Sequence, residues 1–176
     1  NVKMNKEGYA DLDAVIETGK HALSSGAFEI LANETGAIVL DVRHHNDYIK
    51  GHIPRSIFIG LDGGFAPWVG TLIADVKQPI LLVADDERVE EAVTRLSRVG
   101  FDNTIGYLAG GFDAWKKASK EIDSLVSISA TALKAELERD SIHIFDVRKT
   151  TEYDSGHMPI CLLYTSDAAD ETEGVC

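Results

Sequence analysis

One loop in this sequence has the setting of an active site but lacks a nucleophile. The apolar segment 79–84 reads PILLVA and is followed by the charged stretch DDER and by a predicted helix. In α/β enzymes such a loop holds a thiolate or an anionic substrate, because N–H groups at a helix N-terminus stabilise negative charge. No cysteine, serine or threonine lies between residues 79 and 93, and the nearest hydroxyl is that of Thr94. The loop therefore indicates a binding or structural role rather than nucleophilic catalysis.

Three acidic side chains follow Ala84 in this loop, namely Asp85, Asp86 and Glu87, and Arg88 comes after them. Acids at the start of a helix complement its free N–H groups and its dipole, at about 0.3–1 kcal/mol each. The same acids also suit a contact with a basic partner surface, and the sequence leaves this second role open. In either role they repel an anionic substrate by like charge, which we expect Arg88 to offset only in part.

The chain repeats one segment of its own sequence. Residues 37–54, AIVLDVRHHNDYIKGHIP, align without a gap with residues 142–159, IHIFDVRKTTEYDSGHMP. This repeat predicts two homologous domains in tandem. A second copy as long as the first would continue beyond Cys176, so we expect it to be truncated. The matching pairs are Asp41 and Asp146, Arg43 and Arg148, Tyr48 and Tyr153, Gly51 and Gly156, His52 and His157, and Pro54 and Pro159.

The repeated polar residues have structural interpretations. Asp41 and Arg43 follow a predicted strand, where a local ion pair between them would hold the loops together. His52, like its counterpart in the second copy, is expected to hydrogen-bond to loop backbone, because no second metal ligand stands at helical spacing. The adjacent His44 and His45 would point to opposite sides of an extended chain and form a poor chelate. We therefore expect neither a metal site nor a cofactor in this chain.

Apolar periodicity predicts an alternation of helices and strands. Predicted helices of the first copy cover residues 10–23, 24–36, 86–100 and 110–119, and predicted strands cover 37–42, 56–60, 79–84 and 104–108. The strands are short and almost continuously apolar, as parallel strands buried on both faces are. A predicted helix at 129–140 and a strand at 142–147 open the second copy. The predicted fold class is an α/β sandwich around a mainly parallel central sheet.

The composition excludes several functions. The 176 residues include 29 acidic and 17 basic side chains, for a net charge of −12, which opposes binding to nucleic acid or anionic lipid. No apolar run approaches the roughly 20 residues that span a bilayer, so no membrane role is expected. The two cysteines, Cys161 and Cys176, both lie near the end of the sequence. This usage fits a reducing, cytoplasmic setting.

Three motifs together resemble the rhodanese family over residues 22–119. They are LDVR with GHIP, the loop after residue 83, and YLAGGFDAW, which contains Gly110, Gly111 and Trp115. The resemblance implies a rhodanese-like sandwich in which a cysteine after the central strand takes up sulfur as a persulfide. That position falls on Ala84, and Glu87 stands where the family usually has a glycine. The first copy is therefore expected to be inactive, with residues 84–89 as a degenerate active-site loop.

The glycine-rich stretch 60–73 places the large apolar side chains of Phe65, Trp68, Val69 and Leu72 between two predicted strands. They either cover the core or form a docking surface for a neighbouring domain, and the sequence leaves both open. This stretch and residues 1–9 are similar to the rhodanese half of bacterial fusion proteins that begin with a metallo-β-lactamase-fold hydrolase, including persulfide dioxygenase-like proteins. The resemblance implies such a domain upstream as the partner in the same polypeptide.

The resemblance and the repeat predict the domain boundaries. Residues 1–21 would be a linker and lead-in helix, 22–119 the first rhodanese-like domain, 120–128 a linker, 129–160 the start of the second domain, and 161–176 a tail. The stretch CLLYTSDAADE within that tail resembles the translation of a transposon sequencing adaptor. We therefore expect the tail to be non-native and to be poorly ordered or to pack without a role.

Two functions are compatible with these patterns. The first is a catalytically inactive rhodanese-like module with a binding or structural role in a larger sulfur-handling or metallo-hydrolase protein. The alternative is a sulfurtransferase whose cysteine lies in the missing part of the second copy. Cys161 aligns with Ser56 rather than with Ala84, so we do not expect it to be the nucleophile.

Overall fold

The computed structural model describes residues 12–139, 142–158 and 160–164. The chain divides into two compact units, Asn1–Ser127 and Ile128–Cys176. Within the described ranges, no helix has the length and apolar character needed to cross a membrane.

Short helices and strands alternate along both units. The helices of the first unit are α1 (Leu12–Gly19), α2 (Ser25–Thr35), α3 (His45–Lys50), α4 (Phe65–Leu72), α5 (Val89–Ser97) and α6 (Gly111–Lys117). Its strands are β1 (Ala22–Leu23), β2 (Ile38–Asp41), β3 (Ile57–Phe58), β4 (Ile80–Val83) and β5 (Thr104–Leu108). The second unit contains α7 (Ala130–Leu137), β6 (Ile144–Asp146), α8 (Thr150–Ser155) and β7 (Cys161–Leu163).

The five strands of the first unit form one sheet in the order β1-β5-β4-β2-β3, and every pairing is parallel. Strand β4 is central and pairs with β2 so that Asp41 lies opposite Val83. The carboxyl ends of these two strands therefore lie side by side, and the loops that follow them share one edge of the sheet. The predicted α/β class with a mainly parallel central sheet is confirmed.

Strand β4 is buried over its whole length. Its side chains alternate between two core clusters, Ile80 and Leu82 on one face and Leu81 and Val83 on the other. Helix α5 contributes to the first cluster, and Trp115 of α6 contributes to the second. Burying each such side chain contributes roughly 1.5–3 kcal/mol. The central strand is thus a rigid support for the loop that begins at its carboxyl end.

The prediction of one helix over residues 10–23 is wrong at its C-terminal end. Helix α1 ends at Gly19, and Ala22–Leu23 form strand β1 beside β5. A Cβ atom at Gly19 would lie 2.6 Å from a methyl carbon of Val93, so this glycine allows α1 to approach α5 closely. Pairing with a distant strand decides this boundary, and local periodicity carries no information about it.

Helix α3 lies within the repeated segment, where no helix was predicted. His44 is its N-cap, and the ring Nδ1 of His44 accepts a hydrogen bond from the Asn46 N–H at 3.2 Å. His45 already belongs to the helix, so the two imidazole rings lie 4.1 Å apart between centroids. The prediction that these rings point to opposite sides is therefore wrong, because it assumed an extended chain.

The second unit contains a strand that the sequence analysis did not predict. Strands β6 and β7 pair in parallel, in the register of β2 with β3. Cys161–Leu163 are therefore ordered as a strand, and the expectation that the tail packs without a role stays a prediction. The apolar side chains of β7 stand at the positions that β3 has in the first copy, and this allows the same pairing. Residues 165–176 and Pro159 lie outside the described residues.

Candidate functional site

The loop after β4 is anchored in the core at both ends. Ala84 is 1% exposed and Val89 is 2% exposed. Between them, Asp86–Arg88 form a 3-10 turn, and the N–H of Arg88 donates a hydrogen bond to the carbonyl oxygen of Asp85 at 2.8 Å. The methyl group of Ala84 is thus buried beneath a turn whose acidic residues lie closer to solvent.

The Asp86 carboxylate ties this turn to a second loop. Its Oδ1 accepts a hydrogen bond from the Gly110 N–H at 3.1 Å. Gly110 and Gly111 have φ values of 71° and 58°, in the left-handed region that favours glycine. A Cβ atom at Gly111 would lie 3.1 Å from the Ala84 carbonyl oxygen, so the two loops approach closely. The predicted loop and the predicted glycine pair therefore lie in contact. The Asp86 carboxylate accepts the hydrogen bond of the Gly110 N–H, one of the backbone donors at this site.

A cavity of about 500 Å³ opens over these two loops. Residues 85–87 line it, whereas Ala84 is not among the described lining residues. Each cation among the described residues that line the cavity is paired with a carboxylate. The unpaired charge in this lining is therefore that of the acidic residues 85–87. The pairs are Arg43 with Asp41 at 2.6 Å, Lys50 with Asp47 at 3.3 Å, and Lys116 with Asp113 at 2.6 Å.

Arg88 forms its ion pairs with acids outside residues 85–87. Its guanidinium donates hydrogen bonds to Glu91 at 2.9 and 3.0 Å and to Asp62 at 3.0 Å. The bond to Glu91, and then that to Asp62, raises the pKa of Arg88 above its ordinary value. The expectation that Arg88 partly offsets residues 85–87 is therefore wrong, because its charge is committed to two other carboxylates.

Asp41 and Arg43 form the expected local ion pair. The guanidinium donates three hydrogen bonds to the carboxylate, from Nε at 2.9 and 3.1 Å and from Nη2 at 2.6 Å. The same Nη2 donates to the Gly51 carbonyl oxygen at 2.9 Å, and the guanidinium lies 4.4 Å from the ring centroid of Phe112. Both charged side chains are buried or nearly so, and the pair joins the loop after β2 to α6.

His52 binds backbone, as expected from the sequence. Its ring Nδ1 lies 3.0 Å from the Tyr48 carbonyl oxygen, and its ring stacks on the Tyr48 ring with centroids 4.0 Å apart. Trp115 likewise uses its indole N–H on backbone, donating to the Glu121 carbonyl oxygen at 2.8 Å. In the described part of the chain, no group of three or more His, Cys, Asp or Glu side chains is arranged to hold a metal ion.

The second copy reproduces these contacts. Arg148 donates to Asp146 from Nε at 2.9 Å and from Nη2 at 2.6 Å, and to the Gly156 carbonyl oxygen at 3.0 Å. His157 Nδ1 lies 3.0 Å from the Tyr153 carbonyl oxygen. The repeat in sequence is thus also a repeat in geometry.

The Asp146 carboxyl group provides a pH prediction. Its hydrogen bond with Arg148 lowers the pKa of Asp146 from 3.8 to about 2. Because the folded pKa lies below the unfolded one, this carboxylate stabilises the fold above pH 3.8 and loses that effect as the pH falls towards 2. An NMR titration should give a midpoint near the lower value, and Arg148→Gln should return it to about 3.9. A midpoint near 4 in the unmodified chain would contradict this ion pair.

The four apolar residues of α4 divide into two pairs. Phe65 and Val69 are buried in the core, whereas Trp68 and Leu72 are 56% and 49% exposed. The buried pair thus covers the core, and a docking role stays a prediction for the exposed pair. The exposed pair lines a second cavity of about 520 Å³, beside His44.

Substitutions on α4 should separate its two faces. Phe65→Ala is expected to lower the free energy of unfolding by about 3–5 kcal/mol, because it leaves a cavity in the core. Trp68→Ala should change that free energy by no more than about 0.5 kcal/mol, because the indole is largely exposed. Urea unfolding followed by circular dichroism measures both. Equal losses would show that the indole packs as tightly as the phenyl ring.

The Asp86–Gly110 contact is the main feature that sequence reasoning missed. The sequence shows both residues, but nothing in it pairs a loop after β4 with a loop after β5. Their contact follows from the adjacency of the two strands in the sheet. The strand order would have been needed to find it.

Together, the parallel sheet and the loop at the carboxyl end of its central strand define an α/β protein with its candidate site at a strand-to-helix junction. A model of the rhodanese-like domain matches residues 27–118. The chain therefore belongs to the rhodanese-like domain family. None of the curated proteins matches the chain.

Solved structures share this fold. The rhodanese-like domain of an Anabaena sp. protein is 19% identical, with a TM-score of 0.50, and the match covers 74% of this chain and 94% of that domain. A polysulfide-sulfur transferase from Wolinella succinogenes is 20% identical, with a TM-score of 0.50 and coverage of 69% and 90%. A thiosulfate sulfurtransferase from Pseudomonas aeruginosa is 18% identical, with a TM-score of 0.49 and coverage of 84% and 34%. At these identities the likeness to the first two structures establishes the fold alone.

Proposed function

We propose that residues 22–119 are a catalytically inactive rhodanese-like module with a binding or structural role. The observation that carries this proposal is the buried methyl group of Ala84, at the position that the family resemblance assigns to the sulfur-accepting cysteine. Sulfur transfer through a persulfide needs a thiolate, which a methyl group cannot replace. The following residues 85–88 contain no hydroxyl or thiol that could act instead.

The electrostatics of the cavity also support inactivity. An anionic sulfur donor entering it meets residues 85–87, whose charges Arg88 does not neutralise. Like charge opposes both the donor and the thiolate that the chemistry requires. The Gly110 N–H donates its hydrogen bond to Asp86, so it is not available to a substrate. The site therefore lacks the positive environment that a persulfide needs.

The same acidic charges favour a role in binding a basic surface of a partner. The proposed context is a larger sulfur-handling or metallo-hydrolase protein, with a metallo-β-lactamase-fold domain upstream in the same polypeptide. Support for this context is the resemblance of residues 1–9 and 60–73 to such fusions, together with the exposed Trp68 and Leu72. We assign no cofactor to this chain itself.

A sulfur-transfer assay from thiosulfate to cyanide tests the inactivity of the purified chain. We expect no rate above the uncatalysed background. A variant carrying Cys161→Ser and Cys176→Ser should behave identically, because neither cysteine stands in the sequence of the loop after β4. Turnover that persists in this variant would contradict the proposal.

A second candidate function is sulfur transfer by a complete second domain. The observation that favours it is the repeated Asp146–Arg148 network, which has the distances of the Asp41–Arg43 network. This network supports a second rhodanese-like copy without defining its active-site loop. The reading frame of the parent gene would decide, since a cysteine at the position equivalent to Ala84 is required for this function.

A further inference from the structure

The second cavity of the first unit, of about 520 Å³, opens at the carboxyl ends of β2 and β3. Its lining comes from residues 43–45 after β2, from the segment 58–64 at and after β3, and from Trp68 and Leu72 of α4. Ligands of parallel α/β sheets bind outside the carboxyl ends of the strands, and this volume is typical of small-molecule sites. The place and size of the cavity therefore fit a small molecule.

The aromatic wall of this cavity is fixed by packing. The Phe58 ring lies 4.8 Å from the Tyr48 ring, which in turn stacks on His52. A Cβ atom at Gly60 would lie 3.1 Å from the tip of the Phe58 ring, so this ring lies against the Gly60 backbone. The other aromatic groups of the lining are His44, His45 and Trp68. A preformed aromatic wall favours a planar aromatic ligand, because such a ligand can stack on it.

The lining also offers hydrogen-bond donors. Because the ring Nδ1 of His44 accepts the Asn46 N–H at 3.2 Å, the ring is uncharged and has its proton on Nε2. Neither this Nε2 nor the indole N–H of Trp68 is hydrogen-bonded to another of the described residues. Both N–H groups can therefore donate to an acceptor on a ligand.

The acidic and guanidinium side chains of this lining are already paired. Asp62 lies 2.9 Å from the Arg88 guanidinium, and Arg43 lies 2.6 Å from Asp41. A charged ligand would have to compete with these pairs for an opposite charge. The electrostatics therefore favour an uncharged ligand.

The repeat shows that the two imidazoles are not needed by the fold. Their counterparts in the second copy are Lys149 and Thr150. Helix α8 nevertheless begins at Thr150, as α3 begins at His45. The residue types at positions 44 and 45 can therefore serve a ligand rather than the start of the helix.

We infer that this cavity binds a small, uncharged, planar aromatic molecule that carries a hydrogen-bond acceptor. The ligand stacks on the aromatic wall, and its acceptor receives hydrogen bonds from the N–H groups of His44 and Trp68. The inference goes beyond the proposed function, and it does not depend on whether the first copy is catalytic.

Coumarin and quinoline are the probes, each titrated at pH 8 into the full ¹⁵N-labelled chain and followed by NMR. We expect a saturable shift of the Trp68 indole N–H signal, assigned by its loss in Trp68→Phe. The Trp115 indole N–H donates to the Glu121 carbonyl oxygen, and its signal should stay in place. Octahydrocoumarin keeps the carbonyl group of coumarin but is not planar, so it should bind at least about tenfold more weakly.

A matched pair of protein variants locates the site. Replacing His44 by Lys and His45 by Thr introduces the residues of the second copy, and should weaken coumarin binding at least about tenfold through the lost donor and the lost rings. His21→Thr makes a similar change at an exposed histidine that is not among the described lining residues, and should leave the affinity unchanged. An unchanged Trp115 signal shows that each variant is folded.

Several results would overturn the inference. They are the absence of a saturable Trp68 shift with both probes, equal affinity for coumarin and octahydrocoumarin, and equal affinity of the double variant and His21→Thr. A Trp115 shift as large as that of Trp68 would place the probe elsewhere and would also overturn it.

Discussion

Ala84→Cys alone is expected to transfer sulfur only slightly faster than the uncatalysed background, whereas adding Asp86→Gly and Glu87→Gly should raise the rate at least about tenfold over the single variant. Position 84 is buried and does not line the cavity, so a thiol there is shielded from the donor. The neighbouring carboxylates also raise the pKa of such a thiol and so reduce its thiolate fraction. Removing the Asp86 side chain frees the Gly110 N–H for an anion.

Thiosulfate-to-cyanide transfer measures this difference, with Cys161→Ser and Cys176→Ser present in every variant. The variant with both glycine substitutions but with Ala84 retained is the matched control and should stay inactive. The pH dependence of the reaction with an aromatic disulfide reports the thiol separately, and its midpoint should be lower in the loop-neutralised variant. Equal turnover above background with and without the glycine substitutions would show that only the nucleophile is missing and that the acidic loop does not block the site.

The sheet could be predicted from the sequence because its strands carry a local signal. The segments 37–42, 79–84 and 104–108 are short, apolar and bounded by polar residues, and each contains a strand of the structure. Strand β1 has two residues, which is too short for any periodicity, and it forms only because β5 lies beside it. Helix α3 has six residues, which is also too short for a periodic signal, and it was therefore not predicted.

The candidate site was predictable in composition but not in arrangement. The absence of a nucleophile after β4 is a property of residue types, which the sequence shows directly. The contact of Asp86 with Gly110 and the pairing of Arg88 with Asp62 join segments far apart along the chain. Such contacts depend on strand order. For this reason sequence reasoning found the acidic residues but assigned Arg88 to the wrong neighbours.

Asp41→Ala is expected to lower the free energy of unfolding of the first unit by about 3–5 kcal/mol, because it leaves the nearly buried Arg43 guanidinium without its carboxylate partner. The Asp41 side chain is 0% exposed and that of Arg43 is 9% exposed. Without the carboxylate, the partners that the described residues leave to the guanidinium are the Gly51 carbonyl oxygen and the Phe112 ring, with a longer-range attraction to Asp113. Urea unfolding followed by the fluorescence of buried Trp115 measures the loss.

Asp47→Ala is the matched control within the same unit. It removes a carboxylate paired with Lys50 at 3.3 Å, but both of these side chains are more than half exposed. Water replaces the lost partner there, so the loss should be about 0–1 kcal/mol. A loss for Asp41→Ala as small as that for Asp47→Ala would mean that Arg43 reaches solvent once it is released. The repeated Asp41–Arg43 pair would then serve to fix the loop geometry rather than to neutralise a buried charge.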